Sequence, residues 1–434
     1  MNAIFARIDA TLPGLEELYQ DLHAHPELAF QEKRTASVVA DRLTRSGWDV
    51  TTGIGRTGVV AVLRNGPGPV VMLRADMDAL PVREQTGLPY ASTVTAPGQD
   101  GTQVPVMHAC GHDIHVTCLI GACELFAAHR DQWQGTAVAV FQPAEESGLG
   151  AHAMVDDGLF ARFPRPDVIL GQHVGPGPAG MVAKIPGTVM GAADSLTIKL
   201  FGRGGHGSKP ESAVDPVVMA ASLVGRLQTI VSRTVPAQES VVVTVGYLRA
   251  GLTASVIPDE AELGVNIRTF SPSVRQQVVE AISRFAKAEA LAADAPREPV
   301  ITSRYQLPAT VNEPAATERV AAAHEGVFGA DAVIAMGPNT ASEDFGVLGT
   351  AAGVPSVFWF FGGNDPEEFH TALLNDRLAE DIPQNHSSVF APVPGPTIAA
   401  GVRAMTGAAL AYLTAPTADG EAPAAARLSS PAQV

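Results

Sequence analysis

The stretch VMHACGHDIH, residues 106–115, places a thiol and an imidazole, Cys110 and His112, on either side of one glycine, directly before an apolar, helix-like run. Three chemistries fit such a pair. A cysteine nucleophile needs a base within hydrogen-bond reach, which His112 supplies only if the turn folds it back onto a thiol two positions away. A buried inert thiol is the usual fate of cysteine in a reduced protein, and suits Cys118 and Cys123 on the run that follows. As metal ligands, a thiolate and an imidazole can reach one pocket at a helix start, where the helix N-terminus favours the thiolate form.

Other polar residues give the ligand reading its company. VVMLRADMDALP sets Asp76 and Asp78 just past an apolar run, VAVFQPAEE sets Glu145 and Glu146 past another, and DVILGQHV sets His173 past a third. Each alone would pass for a solvated loop residue, but jointly they are all of metal-binding type. Adjacent side chains in extended backbone point opposite ways, so of Glu145 and Glu146 one carboxylate can bind metal while the other faces a cavity. A free carboxylate there can activate a metal-bound water as general base.

The elements that must position these residues follow from periodicity. LEELYQDLHAHPEL and EKRTASVVADRLTRSG carry the 3.6-residue apolar repeat of surface helices, and the second stops at Gly47. TGVVAVLR, PVVMLRAD, TAVAVFQ and DVILGQHV alternate with helical stretches, including one after Asp113, which predicts an α/β layer with a largely parallel sheet. In such sheets ligands bind outside the carboxyl ends of the strands, where the acids and His173 fall. From about Gly187 to Pro296 the rhythm changes to strand, helix, strand, strand, helix, that of a small α+β domain with its helices on one face of an antiparallel sheet. AVIAMG, PSVFWFFGG and the final helix TIAAGVRAMTGAALAYL then resume the first pattern. The expectation is a discontinuous domain, residues 1–186 and 297–415, interrupted by an inserted domain over 187–296, with an Ala/Pro/Ser-rich tail over 416–434.

Composition narrows the partners. With 434 residues, 46% hydrophobic and 17% charged, the chain is long enough for two packed domains. Acidic residues outnumber basic ones 45 to 29, for a net charge of −16, and no Lys/Arg run appears, so nucleic acid is excluded as a partner. The first thirty residues are broken by Asp, Glu, Pro and His, and lack the apolar core of a signal peptide or the ~20 apolar residues of a membrane span. Three cysteines within fourteen residues do not resemble a secreted disulfide framework, and a cytoplasmic, non-membrane protein is expected.

Taken in order and spacing, RADMDALPV, MHACGHDIH, FQPAEE, GQHV, GRGGHGSKP and NHSS resemble the M20 metallopeptidase superfamily, specifically its amidohydrolase branch, over about residues 15–415. That branch contains hippurate hydrolases, N-acyl-amino-acid amidohydrolases, N-acetyl-diaminopimelate deacetylases and plant auxin-conjugate hydrolases. The resemblance implies a two-domain α/β fold in which the inserted α+β unit serves as lid and homodimer contact. It implies Cys110 as a thiolate bridging two ions, His112, Glu146, His173 and His386 as the remaining ligands, and Glu145 as general base. Asp78 becomes an acid that orients an imidazole. His206, among the glycines of KLFGRGGHGSKP, becomes the histidine that crosses a dimer interface to stabilise the oxyanion, and Arg268 the grip on the substrate carboxylate. Ser255 falls at a substrate-binding position where the branch often has Asn; serine keeps a hydrogen-bonding group for the substrate but shortens its reach.

Five ligands exceed the three that one catalytic zinc takes, so two divalent ions are expected, of zinc, manganese, cobalt or nickel. The reaction implied is hydrolysis of small N-acyl amino acids by metal-activated water, with a dipeptidase or carboxypeptidase as the alternative on the same site.

Overall fold

The strand Gly135–Gln142 shows why the apolar runs are continuous rather than alternating. In the computed structural model, which describes residues 2–98 and 100–413, Ala137, Ala139 and Phe141 of this strand enter one core while Val138 and Val140 enter another. A strand covered on both faces has no position to spare for polarity. Among the described residues eight strands form one sheet, in the order Asp49–Ile54, Gly58–Asn65, Gly135–Gln142, Val70–Asp76, Val168–Pro178, Ser356–Asn364, Val182–Lys184 and Val333–Ala335. The middle four run parallel, so their carboxyl ends open on one edge. The first two strands are antiparallel additions.

Helices Ile8–Ala24, Lys33–Arg45, His112–Ala128 and Pro394–Leu413 cover one face of the sheet, and Gly150–Asp156 with Phe345–Ala352 the other. The helix His112–Ala128 is apolar all round because it is buried all round. It packs so closely on Pro394–Leu413 that a Cβ at Gly401 would lie 2.4 Å from Cys118 Sγ. Burial pushes the thiols of Cys118 and Cys123 well above their ordinary range, in keeping with inert packing.

The inserted unit is a four-stranded antiparallel sheet in the order Val241–Ala250, Glu260–Thr269, Ala192–Phe201, Val300–Leu307. Helices Pro216–Thr229 and Pro272–Ala292 lie on one face, burying Leu223, Leu227, Val278 and Ile282 against Ile198 and Leu263. Asp215 caps the first of them, its carboxylate accepting the Val217 amide N–H at 2.8 Å. The strand Val300–Leu307 corrects the expected return to the first domain at residue 297: it pairs with Ala192–Phe201 and completes the inserted sheet. Its VITSRYQL pattern is mostly exposed or half-exposed, the polarity of an edge strand, which sequence periodicity does not separate from a loop. The two crossings between the units, Gly187–Met190 and Thr310–Asn312, pair with each other. Among the described residues no helix is long and apolar enough to cross a membrane. The tail expected over 416–434 lies outside the described residues.

Candidate metal centre

Three of the parallel strands, Gly135–Gln142, Val168–Pro178 and Ser356–Asn364, and one helix start lead to a cavity of about 900 Å³ between the two units. Cys110 and His112 enter it from the turn before helix His112–Ala128. Gly111 between them has φ +84°, and a Cβ there would meet Val174 Cγ1 at 2.5 Å, so only glycine allows the turn. The thiol is thereby aimed at the neighbouring strand: Cys110 Sγ lies 3.4 Å from His173 Nε2. His386 arrives from a loop, with φ +70° and its amide donating to Ala109 O at 2.7 Å, and its Nε2 stands 3.2 Å from the same sulfur and 3.3 Å from Glu146 Oε1.

Several groups of three potential ligands lie within reach of one another, and two of these sets, Cys110 with His112 and His173, and Cys110 with Glu146 and His386, share the thiol. The donors fit divalent cations. His112 is buried and neither ring nitrogen has an aligned hydrogen-bond partner, although Nδ1 lies 3.3 Å from Asp78 Oδ1; an orphaned buried imidazole is costly unless an ion takes its lone pair. His173 Nδ1 donates to Val174 O at 2.7 Å, which leaves Nε2 free as a lone pair facing Cys110. Burial holds the His173 pKa well below its ordinary value and so keeps that lone pair available. Burial, then the charge of Glu146, pushes the Cys110 thiol up, against the opposing pull of His112 and His386, so that capture of a cation there would release a proton.

Asp78 organises the acids. Its two oxygens accept the amide N–H groups of Glu145 and Glu146, each at 3.0 Å. The turn that carries them needs Ala144 at φ +54°, and the Ala144 amide donates to buried Glu32 at 2.8 Å. Burial and the neighbouring carboxylates of Glu343 and Glu146 raise the Glu145 pKa well above the ordinary carboxylate range.

The sequence-derived residues do not all meet. Cys110, His112, Glu145, Glu146, His173 and His386 cluster, Asp78 lies behind them, and Arg268 lines the far wall, where its guanidinium touches the Ser342 hydroxyl. His206 and Ser255 do not line the cavity; both are exposed on a small ribbon of the inserted unit, Gly205–His206 paired with Val256–Ile257. Sequence reasoning missed His115, whose Nδ1 donates to Asp76 Oδ1 at 2.5 Å while its Nε2 accepts the Val174 amide at 2.8 Å. Its signal was the three-residue spacing from His112, one face of a helix. Asn385 was missed as well: its side-chain amide donates to the carbonyls of Cys110 and Val174, both at 3.1 Å, pinning the His386 loop.

A discontinuous α/β domain with an inserted α+β unit and a thiolate–imidazole–carboxylate cluster between them defines a two-domain metallohydrolase. The chain belongs to peptidase family M20/M25/M40, whose profile matches residues 72–393. It is 40% identical to a hippurate hydrolase of Campylobacter jejuni over 334 residues, 76% of this chain and 84% of that protein. To an N-acetyl-L-cysteine deacetylase of Bacillus subtilis it is 36% identical over 362 residues, 82% of each chain. Among solved structures, a dinuclear metal-binding peptidase of the M20 family from Bacillus subtilis superposes with a TM-score of 0.73 at 28% identity, covering 93% of this chain and 99% of that one. The protein is therefore an enzyme of the amidohydrolase type.

Proposed function

We propose that the chain hydrolyses the amide bond of N-acyl amino acids, releasing a carboxylic acid and a free amino acid, with two divalent ions held by Cys110, His112, Glu146, His173 and His386. The observation that carries this reading is the shared thiol, 3.4 Å from His173 Nε2 and 3.2 Å from His386 Nε2 on the wall of the cavity that Glu145 also lines. Ions bound there would polarise the scissile carbonyl and make an attacking water more acidic. Thiolate and imidazole suit zinc, while the carboxylates also admit manganese, cobalt or nickel. Unpaired thiols suit a reducing compartment, the cytoplasm.

Glu145 takes a proton from the attacking water and returns it to the leaving amine. Asp78 fixes the direction of His112 and of both glutamates. Arg268 takes the substrate carboxylate in its planar fork. The oxyanion donor is His206 of a second copy, brought to the cavity by a homodimer through the inserted domain. The Ser208 amide donates to His206 Nδ1 at 3.1 Å, which leaves the proton on Nε2, the tautomer such a donor needs. Ser255 sits beside it, its carbonyl accepting the Gly207 amide at 2.8 Å, and belongs to the same contact.

The test is elemental analysis together with hydrolysis of N-acetyl, N-benzoyl and long-chain N-acyl amino acids and of dipeptides, before and after chelation. About two ions per chain and chelator-sensitive release of amino acid from the acylated substrates are expected. Faster cleavage of dipeptides would replace this reading with a dipeptidase or carboxypeptidase. Activity that survives exhaustive chelation would return Cys110 to the role of nucleophile.

A further inference from the structure

Behind the cavity wall lies a buried guanidinium that the reaction above does not use. Arg74, 1% exposed, sits two residues before Asp76 on the strand Val70–Asp76 and does not line the cavity. Its Nε donates to Gln142 Oε1 at 3.0 Å, Nη1 to Asp76 Oδ2 at 2.7 Å, and Nη2 to Glu343 Oε1 at 2.7 Å and Asp344 Oδ1 at 3.1 Å. Gln142, Asp76, Glu343 and Asp344 are all buried. One fork thus ties two neighbouring parallel strands to a segment some 270 residues away in sequence.

That segment, residues 339–345, touches the inserted unit at three places. The carbonyls of Asn339 and Ala341 accept the Gly191 amide, at 3.3 and 3.0 Å, where the chain enters the unit. The Glu343 carbonyl accepts the Thr310 hydroxyl at 3.3 Å where it leaves. Ser342 meets the guanidinium of Arg268. On the other side, carboxylate oxygens of Glu343, Asp76 and Glu145 all lie within 4.8 Å of one another, and Asp76 in turn orients His115. A continuous set of polar contacts therefore runs from Arg268 through 339–345 and Arg74 to the acids beside the metal cluster.

We propose that Arg74 is a positioning residue: by clamping the 339–345 segment to the end of the metal-site strand, it fixes where the inserted domain's grip holds the substrate relative to Glu145. This rests on the roles proposed above for Arg268 and Glu145. Lysine cannot replace the fork, because one ammonium cannot span the four acceptors that Arg74 bridges. A displacement of about 1 Å between bound substrate and base costs on the order of a hundredfold in rate.

The experiment compares wild type with Arg74→Lys, each loaded with metal and normalised to metal content. A fall in kcat of about tenfold to a hundredfold is expected, with KM changed by less than about threefold. A residue that served stability alone would lower the yield of folded enzyme and leave kcat per loaded site unchanged, and a kcat within about twofold of wild type would overturn the proposal. If Arg74→Lys fails to fold or to load, Gln142→Leu, which removes a neutral partner of both Arg74 and Asp344 without changing any charge beside Glu145, is judged by the same two criteria. A second readout needs no activity. In metal-free protein the amides of Phe345 and Ala151, which donate to Glu343 at 3.0 Å and to Asp344 at 2.9 Å, should exchange with solvent faster in Arg74→Lys, and unchanged exchange would show that Arg74 does not hold the segment. A wild type that cleaves no N-acyl amino acid would defeat the proposed function instead, and the exchange experiment would still decide the clamp.

Discussion

Asp78 and Glu145 are joined through the backbone rather than through their acidic groups: Asp78 Oδ1 accepts the Glu145 amide N–H at 3.0 Å, and the same oxygen stands 3.3 Å from His112 Nδ1. One carboxylate therefore holds the turn that presents the base and stands beside the imidazole. Asp78→Ala should weaken metal binding about 10–100-fold, the usual cost of losing a partner behind a ligand, and lower turnover at saturating metal as well. Metal titration followed by steady-state kinetics measures both; a variant with wild-type affinity and turnover would remove Asp78 from the site.

The thiols should separate by position. Cys110 is shared by two of the potential ligand sets, whereas Cys118 and Cys123 are packed inside the helix layer. Cys110→Ala should bind fewer ions per chain and lose turnover by more than about a hundredfold, with its fold intact by circular dichroism. Cys123→Ala should cost on the order of 1–2 kcal/mol of stability and leave turnover per folded molecule unchanged. Equal loss from both substitutions would mean that the Cys110 effect is one of packing.

The residues legible from sequence are those that follow a strand or start a helix, because there a short motif and its element together say where the side chain goes. Asp76, Asp78, Glu145 and Glu146 fall at or just past the carboxyl ends of parallel strands for that reason, whereas His173, expected past its strand, lies in the middle of Val168–Pro178, which runs on alongside Ser356–Asn364. Arg74 lies inside the apolar run PVVMLRAD, and Glu343 and Asp344 belong to none of the motifs singled out in the sequence; their pairing is set by tertiary packing, which no local period records. The strand Val300–Leu307 was missed because an exposed edge strand has no apolar signature. His206 has its motif, yet it does not line the cavity of a single chain.

Stability should depend on pH through a buried histidine that is not among the proposed ligands. His23 lies between Asp113, at 2.7 Å, and Glu84, at 3.0 Å. Burial pushes its pKa down, but the hydrogen bonds and charges of Asp113 and Glu84 outweigh it and raise the value to about 10. Because the folded pKa lies above the unfolded value of about 6.5, the stabilisation is fully present below pH ~6.5 and is lost as pH rises toward 10. Urea unfolding of the metal-free protein at several pH values should show that decline in wild type. In His23→Gln the decline over this window should flatten, and the substitution should cost about 3–5 kcal/mol near neutrality, since it leaves two buried carboxylates without their cation. A wild-type stability flat from pH 6.5 to 10 would mean that His23 is neutral in the folded protein.

Gly111 places a backbone demand directly between two proposed ligands, Cys110 and His112. It links the thiol to the imidazole at φ +84°, and any Cβ would stand 2.5 Å from Val174 Cγ1. Alanine there faces both a left-handed backbone, costing about 1–2 kcal/mol, and a clash with a strand residue that cannot move freely, because the Val174 amide is bound to His115 and its carbonyl to His173 and Asn385. Relief requires the turn itself to shift, and both Cys110 and His112 shift with it. Gly111→Ala should therefore lose metal affinity out of proportion to its loss of stability. The discriminating measurement is metal content against unfolding midpoint for Gly111→Ala beside Gly47→Ala, a left-handed glycine with open space around its Cβ, far from the cavity. Gly47→Ala should lose a similar backbone term and keep its ions; if both variants load metal equally well, the turn geometry is not what aims the pair.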